Sequence, residues 1–191
     1  MKRGIELTTA RLLIRHWTVS DQDRNAMHRL TSDEQVMRYF PFRRTRAESD
    51  ALLGKVMELT DEFGMGWAAV CLKGTSEPIG FSGVAPVNYF QSAFTPCVEI
   101  GWRLVPEHWG KGYASEAAAA LLAHGFRDLG LEKIVAFAVP ANTASIAVMH
   151  RIGMQPNPAF DFMHPNIPDT HPHLKQHVFF EKSNPKEKGG T

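Results

Sequence analysis

The chain has 191 residues, 43% of them hydrophobic and 21% charged, with a formal net charge of +1. These values fit one globular domain with a substantial core, and near-zero charge excludes a global field that would recruit nucleic acid or an anionic membrane. No run reads as a transmembrane span, "MKRGIELTTARLLIRHW" carries too many charges for a signal-peptide core, and Cys71 and Cys97, in apolar runs, read as buried free thiols of a reducing cytoplasm.

In chain order, "ARLLIRHW" alternates well enough to predict a first strand over Arg11 to His16, and "SDQDRNAMHRL" a helix opened by capping Ser and Asp residues. "MRYFPFRRTR" is an aromatic, basic connection broken by Pro41, followed by a helix from about Ala47 to Phe63. "GWAAVCLK" and "PIGFSGVAPV" predict two strands joined by "GTSE", and "CVEIGWRL" a third over Cys97 to Leu104. A helix "SEAAAALLAHGFRDLG" follows, with Ala117, Ala118, Leu121, Leu122, Gly125, Phe126 and Leu129 on one side. "KIVAFAV" suits a buried strand, and "NTASIAVMHRIG" a short helix running from a capping Asn142 to Gly153. "AFDFM" and "QHVFFEK" then flank the loop "HPNIPDTHPHL". Together these predict a mixed α/β sheet in one domain over residues 1–182, with a disordered tail over 183–191.

Between the strand "CVEIGWRL" and the alanine-rich helix lies "HWGKGYASEA". Glycines there let the backbone approach a ligand, and the following helix offers unpaired N–H groups and the positive end of its dipole. That combination suits a phosphate or pyrophosphate. A P-loop is excluded because Lys111 is followed by Gly112 instead of Ser or Thr. A dinucleotide fingerprint would need Gly or Ala where Ser115 stands and an acid closing the next strand, whereas Glu132 precedes that strand.

The stretch is similar to the coenzyme-A loop of the GNAT acetyltransferase superfamily, a Gln/Arg-x-x-Gly-x-Gly/Ala pattern met here as Trp109-x-x-Gly112-x-Ala114. "VEIGWRLVPEHWGKGYASEA" and "NTASIAVMHRIGM" resemble the subgroup of ribosomal-protein N-terminal acetyltransferases, and the likeness extends from about Arg11 to Lys182. The resemblance implies the acyl-CoA N-acyltransferase fold with two splayed central strands, acetyl-CoA as cosubstrate, no metal, and direct transfer to a primary amine. The acceptor would be a protein N-terminus or a small molecule, and the chain a monomer or homodimer without nucleic-acid or membrane partners. A non-catalytic acyl-CoA sensor on the same fold is the alternative. One departure is Trp109, which removes a side-chain donor to the pyrophosphate and leaves the main chain to supply it.

By the same resemblance, Ile100, Trp109, Gly110, Lys111, Gly112, Tyr113, Ala114, Ser115, Asn142 and Ser145 bind the cosubstrate, with a main-chain N–H near Ile100 or Gly101 polarising the thioester carbonyl. Glu99 is the candidate general base, its carboxyl lifted by burial. The superfamily tyrosine that protonates the leaving sulfur falls at Met149, so Ser145 stands in for it. Tyr39, Phe42 and Arg43 are the candidate acceptor wall. His164, His171, His173 and His177, set among prolines, read as members of a solvated loop and not as zinc ligands.

Overall fold

The computed structural model describes residues 5–185. Its strands are β1 (Leu7–Thr8), β2 (Leu12–Arg15), β3 (Gly66–Leu72), β4 (Pro78–Val87), β5 (Cys97–Leu104), β6 (Lys133–Ala138), β7 (Gln155–Pro156), β8 (Phe162–Met163) and β9 (Gln176–Ser183). Four helices accompany them: α1 (Asp21–Ser32), α2 (Arg46–Phe63), α3 (Tyr113–Arg127) and α4 (Thr143–Arg151). The strands lie in the order β1-β2-β3-β4-β5-β6-β9-β7, with β8 added against β9. Every pairing is antiparallel except β5 with β6, which the crossover through α3 makes parallel.

Local chemistry sets the element ends. Ser20 caps α1 by accepting from the Asp23 N–H, and Thr45 closes a reciprocal capping box with Glu48 at the start of α2. Gly64, at φ 68°, ends α2 in the left-handed conformation that glycine adopts without strain. The predicted elements appear in the predicted order, with differences at their edges and an unpredicted short strand at Gln155–Pro156. A two-residue strand precedes the first predicted one, and α3 starts at Tyr113, two residues before Ser115. "AFDFM" opens inside a 3-10 turn over Pro158–Phe160, and only Phe162 and Met163 are strand. The expected tail at 183 begins inside β9: Ser183 pairs with Lys133, and the Asn184 amide donates to the carbonyls of Phe126 and Leu131. The rest of that tail, from 186, lies outside the described residues.

Each sheet face carries its own core. On one side α3 and α4 bury Ala117, Leu121, Leu122, Val148 and Met149 against Val70, Val84, Ile100, Ile134 and Ala136. A Cβ added at Gly125 would come within 3 Å of Ile134, so α3 sits close on β6 because that position is glycine. On the other side α1 and α2 bury Met27, Leu30, Leu53 and Val56 with Trp17 and Ala69. No helix of the described residues is long and apolar enough to cross a membrane. Cys71 and Cys97 are free thiols, buried and half-buried.

One charged pair is locked into the α1 face. The fully buried Asp23 accepts from both Arg15 guanidinium nitrogens (2.8 and 2.7 Å) and from the Thr18 N–H and hydroxyl. Burial alone would raise this carboxyl, but those donors outweigh it and hold it below the ordinary carboxylate range. Asp23→Ala leaves Arg15 unpaired and is expected to cost about 3–5 kcal/mol, read from the denaturation midpoint. A carboxyl held low contributes stability above its unfolded pKa and loses it as pH falls, so the gap between the two proteins should narrow in acid.

The central irregularity lies between β5 and β6. Antiparallel β4 and β5 share eight register pairs and β6 and β9 share six, but β5 and β6 share one, Glu99 with Val135. Beyond that pair the two strands splay, opening the middle of the sheet.

Candidate active site

The chain leaves β5 at Leu104, makes a 3-10 turn over Pro106–His108, and enters α3 through Trp109 to Gly112. Gly110 and Gly112 have φ of +72° and +80°, where any other residue is strained. A Cβ at Gly110 would meet nothing within 4 Å, so backbone conformation, more than clearance, is what demands glycine there. Gly112 is the α3 N-cap and offers no side-chain cap. The first intrahelical bond runs from the Glu116 N–H to the Gly112 carbonyl at 3.0 Å, which leaves the N–H groups of Tyr113, Ala114 and Ser115 without helical partners. Beside them, Ser115 Oγ and His108 Nδ1 are buried with no hydrogen-bond partner. Burial and the Lys111 charge keep the His108 imidazole below its usual range. Five donors or polar atoms thus await an acceptor at the positive end of a fifteen-residue helix.

This turn is braced from the far end of the chain. Arg11 donates through Nε to Glu116 (2.6 Å) and through Nη1 to the Lys111 carbonyl (2.9 Å), and its guanidinium stacks 4.6 Å from the Tyr113 ring centre. The Thr9 hydroxyl and the Arg11 N–H also donate to Glu116. Trp109 spends its indole N–H on the Leu104 carbonyl at 2.7 Å, so it has no donor left to offer a ligand.

The turn forms one wall of a cleft of about 450 Å³. Opposite stand Asn142, Ser145 and Val148 of α4, with Trp102 of β5 and Tyr39 of the α1–α2 connection. Asn142 caps α4 by accepting from the Ser145 N–H at 3.2 Å. The Trp102 indole donates to Ser145 Oγ, also at 3.2 Å, which occupies a lone pair and leaves the hydroxyl hydrogen free to donate elsewhere. The Tyr39 hydroxyl donates to the Ala141 carbonyl (2.9 Å), tying the α1–α2 connection to the mouth of α4.

Glu99 lies on the opposite face of the sheet. Side chains alternate along a strand: Ile100, Trp102 and Leu104 point to the α3/α4 core, while Glu99, Gly101 and Arg103 point to the α1/α2 side, where Trp67 covers Gly101. Glu99 is half-buried and accepts from the Tyr89 hydroxyl at 3.1 Å. Burial pushes its carboxyl up to about 7, with the Tyr89 hydrogen bond pulling only weakly the other way. Its partner Tyr89 packs on Phe90 and His164, members of an aromatic cluster in which Phe90, Phe137, Phe162, His164 and His177 meet at ring separations of about 5 to 6 Å. Two of the histidines expected in a solvated loop therefore belong to this cluster. Burial and the neighbouring His177 push the His164 imidazole down to about 4. His171 and His173 remain outside it, and among the described residues no three potential metal-ligating side chains converge.

Of the residues expected to hold a cosubstrate, Trp109, Gly110, Gly112, Tyr113, Ala114, Ser115, Asn142 and Ser145 all line the cleft. Lys111 is exposed and turned out, contributing only its carbonyl to the Arg11 brace, and the Ile100 side chain is packed in the core. The expected acceptor wall divides. Tyr39 faces the cleft, whereas Phe42 and Arg43 line a separate hollow of about 270 Å³ with His171 and His173, because Pro41 turns the chain between them. The bracing pair Arg11 and Glu116, 105 positions apart, and the Trp102 donor to Ser145, 43 apart, were not legible in the sequence, because such distant residues give no periodic signal.

Comparison with known proteins agrees with this geometry. Residues 11–155 match the family model described as an acetyltransferase (GNAT) domain. The chain is 34% identical over 155 residues to the uncharacterized N-acetyltransferase YnaD of Bacillus subtilis, an alignment covering 79% of this chain and 83% of that one. It superposes with a TM-score of 0.74 on a GNAT-family acetyltransferase from Bacillus anthracis, at 30% identity and covering 94% and 99% of the two chains. The same fold recurs in RimL, a ribosomal L7/L12 alpha-N-protein acetyltransferase solved with coenzyme A, at 15% identity, a TM-score of 0.73 and coverage of 94% and 98%. With its splayed sheet and its uncapped helix behind a two-glycine turn, the chain belongs to the GNAT acetyltransferase family and is an acyltransferase.

Proposed function

We propose that the protein transfers acetyl from acetyl-CoA to a primary amine, either a protein N-terminus or a small molecule, in the cytoplasm, by direct attack without a covalent enzyme intermediate. The carrying observation is that the uncapped α3 N-terminus opens on a cleft reaching Ser145, while Glu99 waits across the splay on the other face. Fit to coenzyme A is supported by the chain's own atoms: free N–H groups at Tyr113 to Ser115 and the orphaned Ser115 hydroxyl suit a pyrophosphate. RimL, which shares the fold, was solved with coenzyme A. Acetyl-CoA, when bound, supplies an activated acetyl thioester.

The residues divide the remaining work. Left-handed Gly110 and Gly112 aim the α3 amides at the phosphates, and Arg11 with Glu116 keeps that turn in place. A main-chain N–H at Ile100 or Gly101, where β5 parts from β6, is positioned to polarise a carbonyl lying in the gap. Glu99 accepts a proton from the incoming ammonium at its carboxylate, a task matched to a pKa near neutrality. Ser145 donates its free hydroxyl hydrogen toward the departing sulfur while Trp102 holds its oxygen. Ser145→Ala is expected to lower turnover on the order of tenfold, less than a strong general acid would cost because a hydroxyl is a weak one. Coenzyme affinity, measured by calorimetry, should change little.

A thiol-release assay with acetyl-CoA and a panel of amines and N-terminal peptides tests the proposal. Thiol release that depends on an amine and on Glu99 supports it. Tight coenzyme binding with no release against any amine would return the chain to the sensor reading.

A further inference from the structure

Glu99 has two carboxyl oxygens, and one of them is already engaged. The Tyr89 hydroxyl donates to Oε1 at 3.1 Å, and among the described residues no other group donates to that carboxyl. Tyr89 lies in the connection from β4 to β5, just beyond Ala85 and Val87, which pair with Glu99 and Cys97. Alternation carried two residues past Val87 puts Tyr89 on the Glu99 face.

Tyr89 is in turn held by a distant segment. The Asn166 side-chain amide donates to the Tyr89 carbonyl at 3.2 Å. The His164 ring stacks on the phenol at 24°, with centres 6.4 Å apart, and Phe90 meets it edge-on at 5.0 Å. His164 and Asn166 belong to the loop "HPNIPDTHPHL" between β8 and β9, which the His164 N–H closes by donating to the Lys175 carbonyl at 2.7 Å. The geometry points to Tyr89 as a positioning residue for Glu99: its hydroxyl pins Oε1, the β8–β9 loop pins Tyr89, and Oε2 is left to take the proton of the acceptor. This rests on the reading above that Glu99 is the base. In that step an ammonium N–H bond breaks, an O–H bond forms at Oε2, and the electron pair stays on nitrogen.

A hydroxyl donor favours the charged form of a carboxyl, because it bonds a carboxylate more strongly than a neutral acid. Burial acts the other way and pushes Glu99 up to about 7 with that bond in place. The phenol remains a donor throughout, because burial and then the Glu99 charge raise its own pKa. The other groups on this face bring no compensating charge. Cys97 is pushed up to about 11 by burial and then by Glu99, and His164 is neutral. On β6, Val135 faces Glu99, and Lys133 is paired with Glu181 at 3.1 Å. Arg103, four residues along β5, lies against the rings of Phe40 and Phe81. Without the Tyr89 hydroxyl, Glu99 keeps its proton to higher pH and less of the protein carries a free base at neutrality.

Tyr89→Phe tests this, since it keeps the ring that packs on His164 and Phe90 and removes only the hydroxyl. The full chain, labelled with carbon-13 at its glutamate carboxyls, is titrated by NMR, with Glu99→Gln identifying the Glu99 signal. The Glu99 midpoint is expected to rise by roughly half a pH unit or more in Tyr89→Phe, a factor of about three in its proton affinity. Asn166→Ala should move it the same way by less. The inflection of amine-dependent thiol release should rise in step, with the KM for acetyl-CoA unchanged. Should Tyr89→Phe fail to fold, Asn166→Ala decides. A midpoint unmoved or lowered in Tyr89→Phe overturns the assignment, and one unmoved in Asn166→Ala overturns the part given to the loop. A midpoint that rises while the rate profile stays in place leaves Tyr89 governing the carboxyl and sinks Glu99 as the base instead.

Discussion

Glu99→Gln is expected to lower turnover on the order of 100-fold near pH 7.5 while sparing coenzyme affinity, the scale set by losing a positioned general base. The wild-type rate should climb through an inflection at about 7, where the buried carboxyl loses its proton, and the variant should lack that rise. The deficit should narrow at higher pH, where a growing fraction of acceptor arrives as neutral amine and needs no base. Stability moves the opposite way. A carboxyl raised in the folded state binds more protons there than in the unfolded chain between its two pKa values, so wild-type stability falls as pH rises across that window. Glutamine keeps an oxygen for the Tyr89 hydroxyl and carries no charge to bury. Thermal denaturation should find Glu99→Gln more stable than wild type at pH 8 and equal to it at pH 4. A variant as active as wild type, with the same pH profile, would remove Glu99 from the mechanism.

The second large effect belongs to the glycine turn. Moving two non-glycine residues into the left-handed region costs about 1–2 kcal/mol each, and the turn can relieve that strain only by rotating its amides away from the cleft. Gly110→Val combined with Gly112→Val is therefore expected to weaken coenzyme A binding on the order of 100-fold, measured by calorimetry. Circular dichroism should show the helices retained, because a Cβ at Gly110 meets no neighbour and one at Gly112 only grazes the Arg11 guanidinium at 3.4 Å. Unchanged affinity in that double variant would mean that the phosphates are held elsewhere.

The sequence exposed the features that local chemistry writes. Capping residues, the apolar stripe of α3, alternation in β5 and the two glycines are each set by neighbours a few positions away, and so was Glu99 as a lone carboxyl in an apolar strand. What escaped depended on distant packing. Arg11 meets Glu116 only after β2 and α3 have docked on the same sheet, and His164 and His177 join an aromatic cluster because β8 and β9 fold back beside Phe137. The basic stretch "RYFPFRRTR" was visible as a wall, yet which residues faced the cleft was decided by the turn at Pro41, which sends Tyr39 one way and Phe42 the other.

The placement of Ser145 and Glu99 on opposite sides of a parted sheet has a kinetic corollary. On the proposed mechanism each reactant would reach the gap through its own doorway, so neither would have to leave before the other enters. Initial-rate plots against the two concentrations should converge as for a ternary complex, and a molecule joining coenzyme A to an acceptor peptide through the opening should occupy both entrances at once.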